Sequence, residues 1–203
     1  MSKAIVASLA GIGSVGGGLG AYKLYSSFSK EKVIPNQTIF DKLKGEKFSP
    51  LGTGADDEQH WTKIKGEYEK AKNDLSKVFS SNVDELKDKC KEALAKPESD
   101  SDYQKAKRWC VTPVTIKDYL TQFNVKALDI TGNTNESEWT SKVGEYEKSE
   151  NESARISDLK TLTESKKWEQ LRNKCGTIVG KHSYEESFSE LLDQSKPWCF
   201  VAS

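Results

Sequence analysis

Several things are scarce in this chain, and each scarcity narrows what it can be. Among 203 residues there are two histidines, five prolines, a single methionine that is the initiator, and three arginines against 28 lysines. His60 and His182 stand too far apart, and in too dissimilar surroundings, to suggest a histidine-based metal centre or a nucleophile with its base. An excess of either charge is missing, because 31 basic residues balance 31 acidic ones. A general nucleic-acid binder carries a basic excess, so nucleic acid is set aside as a partner. The four cysteines contain no CxxC pair, and their separations of 20, 65 and 24 fit no metal knuckle. No cofactor or metal is expected.

Long apolar runs are also lacking, with one exception. Nineteen uncharged residues, Ala4 to Tyr22, lie between Lys3 and Lys23. As a helix this run would span about 28 Å, close to the hydrocarbon core of a bilayer. Gly13 with Gly17, and Gly16 with Gly20, form two GxxxG spacings of the kind that lets membrane helices approach closely. Tyr22 and Tyr25 fall where interfacial aromatics belong. The same stretch holds a formal GxGxxG at Gly11, Gly13 and Gly16. A dinucleotide turn needs a strand before it, a continuous helix after it and further βαβ units; Gly17, Gly18 and Gly20 break that helix and no such units follow.

Residues 1–25 are therefore expected to be a membrane anchor. The alternative is a cleaved signal, with Lys3 as its basic start and Gly18-x-Gly20 as its small-residue site. No cysteine lies near residue 20, which excludes a lipobox-type anchor. Residues 26–33 read as a linker.

Beyond the linker the chain repeats itself. "TIFDKL" (Thr38–Leu43) returns as "TIKDYL" (Thr115–Leu120), and Thr53-Gly54 returns as Thr131-Gly132. "WTKIKGEYEK" (Trp61–Lys70) returns as "WTSKVGEYEK" (Trp139–Lys148), and "LKDKC" (Leu86–Cys90) as "LRNKC" (Leu171–Cys175). Trp-Cys closes both series, at Cys110 and at Cys199. The offsets grow from 77 to 89 while the order holds, as expected of two copies whose loops have lengthened. The expected units are residues 34–110 and 111–203.

Each unit reads as three or four short helices, giving a mostly α fold. Thr38 and Thr115 precede an Asp three positions on, a capping-box-like start. Trp61, Ile64, Tyr68, Ala71, Leu75 and Val78 recur at helical spacing and predict one long helix, with Trp139, Val143 and Tyr146 as the second copy's stripe. Val83, Leu86, Cys90 and Leu94 predict the next helix, matched by Trp168, Leu171, Cys175 and Val179. Gly66 and Gly144 sit mid-helix in both copies, as either close helix packing there or common descent alone would leave them.

The simplest of three cysteine connectivities pairs Cys90 with Cys110 and Cys175 with Cys199, one bond copied twice. Acidic pairs such as Asp56-Asp57 and Glu185-Glu186 fall at expected helix starts, where they favour the macrodipole. Asn36, Asn135 and Asn151 begin glycosylation sequons by pattern alone.

The Gly-rich opening "MSKAIVASLAGIGSVGGGLGAYKLYSS", the two GEYEK helices and the closing Trp-Cys resemble paralogous protein families of haemotrophic mycoplasmas. Those families comprise surface or exported proteins without assigned activity. The resemblance implies export or surface display, with antigenic diversification, and carries over no catalytic residues.

The expectation is a non-enzymatic protein held in the cell membrane through residues 4–22, with its body outside and a host protein as its ligand. A secreted form is the alternative address. Lys23, Lys30 and Lys32 outnumber Lys3, which favours a cytoplasmic body; the paired cysteines favour an external one. An extracellular hydrolase and a cytosolic scaffold with reduced thiols are the competing readings.

Overall fold

Thr38 opens the first helix as its sequence requires. Its hydroxyl accepts the Asp41 N–H, and its own N–H and O–H return to the Asp41 carboxylate at 3.1 and 2.7 Å. These bonds hold the Asp41 carboxyl below the usual carboxylate range. In the computed structural model, which describes residues 37–132, 135–149, 154–163 and 165–202, the first half contributes four helices. They are α1 (Ile39–Gly45), α2 (Glu58–Ala71), α3 (Leu86–Leu94) and α4 (Tyr103–Trp109). The second half contributes α5 (Ile116–Thr121), α6 (Glu136–Lys148), α7 (Lys167–Val179) and α8 (Phe188–Cys199). The only strands among the described residues are β1 (Val125–Ala127) and β2 (Phe200–Ala202), an antiparallel pair with Ala127 opposite Phe200. The fold is mostly helical.

Local contacts recur from half to half. Ile39 N–H donates to the Lys96 carbonyl and Ile116 N–H to the Lys181 carbonyl, both at 2.9 Å. Leu51 N–H reaches the Cys110 carbonyl and Leu128 N–H the Cys199 carbonyl, again both at 2.9 Å. Trp61 Nε1 donates to the Gly52 carbonyl at 2.8 Å, and Trp139 Nε1 to that of Asp129 at 2.9 Å. Lys47 and Asn124, 77 residues apart, both take left-handed backbone just after a helix, where orphan carbonyls are collected.

The described residues form one compact unit with a continuous core. Trp61, Trp109 and Trp139 are fully buried in it. Each such indole removes on the order of 200 Å² from water, about 5 kcal/mol at ~25 cal/mol per Å². Phe48 of the first half stacks on Tyr119 of the second with ring centroids 4.6 Å apart, and Phe188 meets both rings edge-on. Tyr119 Oη also donates to the Glu46 carbonyl at 2.9 Å. These contacts join the halves.

Two expectations are corrected. The stripe from Trp61 does not continue to Val78, because α2 ends at Ala71. Asp74 Oδ1 takes the Ser76 N–H and O–H instead, a turn that competes with helix; Leu75 is left 62% exposed, and Val78 is buried from a loop. Gly66 and Gly144 are helical, yet a Cβ built on either would meet nothing within 4 Å. Close packing is not why glycine stands there.

Candidate functional site

The four cysteines come together in the expected pairs. Cys90 of α3 bonds Cys110 just after α4, with Cα atoms 5.3 Å apart. Cys175 of α7 bonds Cys199 at the end of α8, with Cα atoms 5.4 Å apart. All four are buried, so they are staples within each half rather than reactive thiols. Each closes a separation of 20 or 24 residues, worth about 3 kcal/mol in the chain-entropy account. Gly13, Gly16, Gly17 and Gly20, and the whole stretch 4–22, lie outside the described residues. Among the described residues no helix is long and apolar enough to cross a membrane.

Two grooves remain. The first, about 410 Å³, lies in the first half between the start of α1, the Leu51–Thr53 segment and α3. Its floor is Leu51, Trp61 and Leu94, with Phe40 on the rim at 40% exposure. Lys87 and Lys91 stand one helical turn apart on α3 and face the same opening. Lys87 Nζ is 2.6 Å from a Glu58 carboxylate oxygen and 5.8 Å from the Trp61 ring centroid. Lys91 is exposed and has no ion-pair or hydrogen-bond partner among the described residues.

The second half treats the matching place differently. The Trp61–Gly52 and Trp139–Asp129 bonds set Ile130 at the place of Thr53, one residue out of step with the Thr-Gly pairs of the sequence, and Gly176 stands where the first half has Lys91. A Cβ on Gly176 would lie 3.4 Å from Ile130 Cδ1, so the isoleucine rests on the bare helix surface. Arg172, at the position of Lys87, donates to the Gly132 carbonyl and holds that segment down.

The other groove, about 820 Å³, runs along the seam between the halves. Its charges are largely spent on one another. Lys77 bridges Asp74 at 3.0 Å and Glu186 at 2.9 Å, and both bonds raise its pKa. Arg108 stacks on Trp109 at 4.5 Å while its Nε donates to the Tyr184 carbonyl at 2.7 Å. Burial pulls the Arg108 pKa down, with Glu186 and Asp74 opposing. This is a clamp between the halves.

His182, half-buried at the same seam, stacks on Tyr184 at 5.1 Å and lies 3.1 Å from Lys63 Nζ through Nε2. That contact needs a neutral ring, whose Nε2 accepts from the ammonium. Glu185 accepts the His182 N–H and pairs with Lys181, and Asp57 accepts the Gly52 N–H. The acidic pairs named from sequence thus serve backbone and helix starts. Among the described residues no group of three or more His, Cys, Asp and Glu is arranged to hold a metal ion.

The groove lysines escaped the sequence reading because charged helix positions look alike there. A signal existed in the aligned copies, where Lys87 and Lys91 face Arg172 and Gly176. No protein-family model matches this chain. No curated protein matches it, and no solved structure does.

Proposed function

We propose that this chain is a non-enzymatic, surface-displayed binding protein whose body is one small helical unit used twice. The observation that carries the reading is a division of labour among residues. The capping Thr and Asp, the buried Trp and Tyr and the paired Cys, which hold the fold, are matched between the halves. Many solvent-facing positions differ, Lys87 and Lys91 giving way to Arg172 and Gly176, while Thr62, Glu69 and Lys70 return as Thr140, Glu147 and Lys148. A catalytic unit copied in tandem would be expected to keep reactive groups at matched places. A scaffold keeps its frame and varies its surface.

The address rests on two sequence features and their chemistry. Residues 4–22 have the length and the GxxxG spacings of an anchor, and two within-half disulfides suit an oxidising exterior. The resemblance to exported mycoplasma families agrees, and with it a role in meeting host molecules or in antigenic diversification. On this reading the body projects from the membrane on the 26–33 linker.

Fractionation with protease shaving tests it. The full chain should stay with membranes after alkaline washing, and protease added to intact cells should remove the body. A full chain in the cytosol with its N-terminus intact, protected until lysis, would refute both the anchor and the display.

A further inference from the structure

One contact across the seam sets an amine beside a base. Lys63 is exposed on α2, and its Nζ is 3.1 Å from Nε2 of His182, which lies in the connection between α7 and α8. His182 stacks on Tyr184 at 5.1 Å, which fixes the plane of its ring, and Lys63 Nζ lies 5.6 Å from the same tyrosine ring. On the far side of the imidazole, Nδ1 is 4.0 Å from a Glu185 oxygen. Glu185 is itself held, by the His182 N–H at 3.0 Å and by Lys181 at 2.7 Å. A carboxylate facing Nδ1 places the ring proton there and leaves the Nε2 lone pair aimed at the amine. Lys70, two turns along the same helix, shows the contrasting arrangement, with its Nζ 2.8 Å from the Glu67 carboxylate.

We infer that Lys63 is a modification site for aldose sugars, with His182 as the base that turns the first adduct into a stable ketoamine. The unprotonated amine adds to the aldehyde carbon C1, the carbonyl oxygen leaves as water, and a protonated imine remains. His182 Nε2 then takes the proton from C2; that C–H electron pair becomes the C1=C2 bond, and the C=N pair returns to nitrogen. The imidazolium gives its proton to C1 and the C2 hydroxyl gives its own to water, leaving a ketone at C2. Amine and sugar become ketoamine and water, with no oxidant or reductant. The step that needs a base is the loss of the C2 proton, and C2 is two bonds from a nitrogen already in hydrogen-bond contact with one. Burial and the Lys63 charge keep His182 neutral, and so able to act as a base, near pH 7, with Glu185, Asp118 and Glu67 opposing. The event happens once per chain and is not turnover, so it stands beside the non-enzymatic reading and does not rest on it.

The test incubates the full chain, in detergent micelles and a phosphate-free buffer at neutral pH, with D-ribose. Borohydride fixes the adducts, and peptide mass spectrometry reads the occupancy of each lysine with time. Lys63 should gain ketoamine about tenfold or more faster than Lys70, which is also exposed, a modest share of what a positioned base supplies. His182→Gln should bring Lys63 down to the rate of Lys70 and leave the other lysines unchanged. Cyanoborohydride present from the start traps the imine and bypasses the C2 step, so it should label Lys63 equally with and without His182. A lower yield there in the variant would mean that His182 governs access to the amine, and would overturn the inference. In the unsubstituted chain the ratio of Lys63 to Lys70 should fall toward one as acid protonates His182 below about pH 6.5, a readout that serves if the variant fails to fold. A ratio near one at neutral pH, or a ratio indifferent to acid or to His182→Gln, would also overturn it.

Discussion

Tyr68 and Trp109 meet edge to face with ring centroids 5.0 Å apart, and Tyr146 and Trp198 repeat the arrangement at 4.8 Å. Each tyrosine hydroxyl ties the end of a helix to the loop that follows. Tyr68 Oη accepts the Phe79 and Ser80 N–H groups at 2.9 and 3.0 Å and donates to the Ser80 carbonyl at 2.9 Å. Tyr146 Oη accepts the Ile156 N–H at 3.1 Å and donates to the Leu159 carbonyl. Each tryptophan N–H closes the same loop, on Lys77 at 2.7 Å and on Ala154 at 2.6 Å. One buried ring pair organises each half.

Removing either hydroxyl strands backbone groups inside the protein. Tyr68→Phe and Tyr146→Phe should each lower stability by about 1–3 kcal/mol. Urea denaturation of the two variants checks this; the Tyr68 change should cost more, since three bonds meet there against two. A loss of a few tenths would mean that water reaches these loops.

Gly66→Ala and Gly144→Ala should both stabilise. The added methyl meets open space, and alanine is favoured over glycine in a helix by about 1 kcal/mol. Thermal denaturation should show a raised midpoint for each, and nearly additive gains for the pair. A lowered midpoint would restore the packing explanation that the structure removes.

Acid should weaken the seam between the halves through His182. Burial and then the charge of Lys63 hold its pKa below the ordinary histidine value, with Glu185, Asp118 and Glu67 opposing. The unfolded chain therefore takes up the proton first. This part of the stability is complete above about pH 6.5 and is lost as pH falls from there through the lower folded value. Asp41, Asp74 and Glu185, whose pKa values are lowered, act in a separate window below about pH 4. His182→Gln should flatten the decline between about pH 7.5 and 5, as read from denaturation midpoints, and leave the lower window in place.

Much of the frame was legible from the sequence, and the reason is physical. Trp61 and Trp139, Tyr68 and Tyr146, and the cysteines are large or reactive groups that tolerate few exchanges in a packed core, so their spacing survives. Leu75 misled because an apolar residue at helical spacing says nothing of the Asp74–Ser76 turn beside it. The β1–β2 pair is three residues long and far apart in the chain, too short to leave a period. The groove was hidden for another reason. Lys87 and Lys91 come together with the Leu51–Thr53 segment only in three dimensions.

Cys110→Ser tests the staple in the first half. It should free the Cys90 thiol, leave the Cys175–Cys199 bond intact, and destabilise by about 3 kcal/mol. Thiol titration of the folded variant should count one reactive group once the protein is unfolded and fewer before, because Cys90 is buried.

We propose a unit used twice, stapled within each copy and displayed in an oxidising place. Peptide mapping without reduction, on protein alkylated as it is taken from its own cells, measures that directly. The account predicts Cys90 linked to Cys110, Cys175 linked to Cys199, and no alkylated cysteine. A Cys90–Cys175 link, or four alkylated thiols, would contradict it.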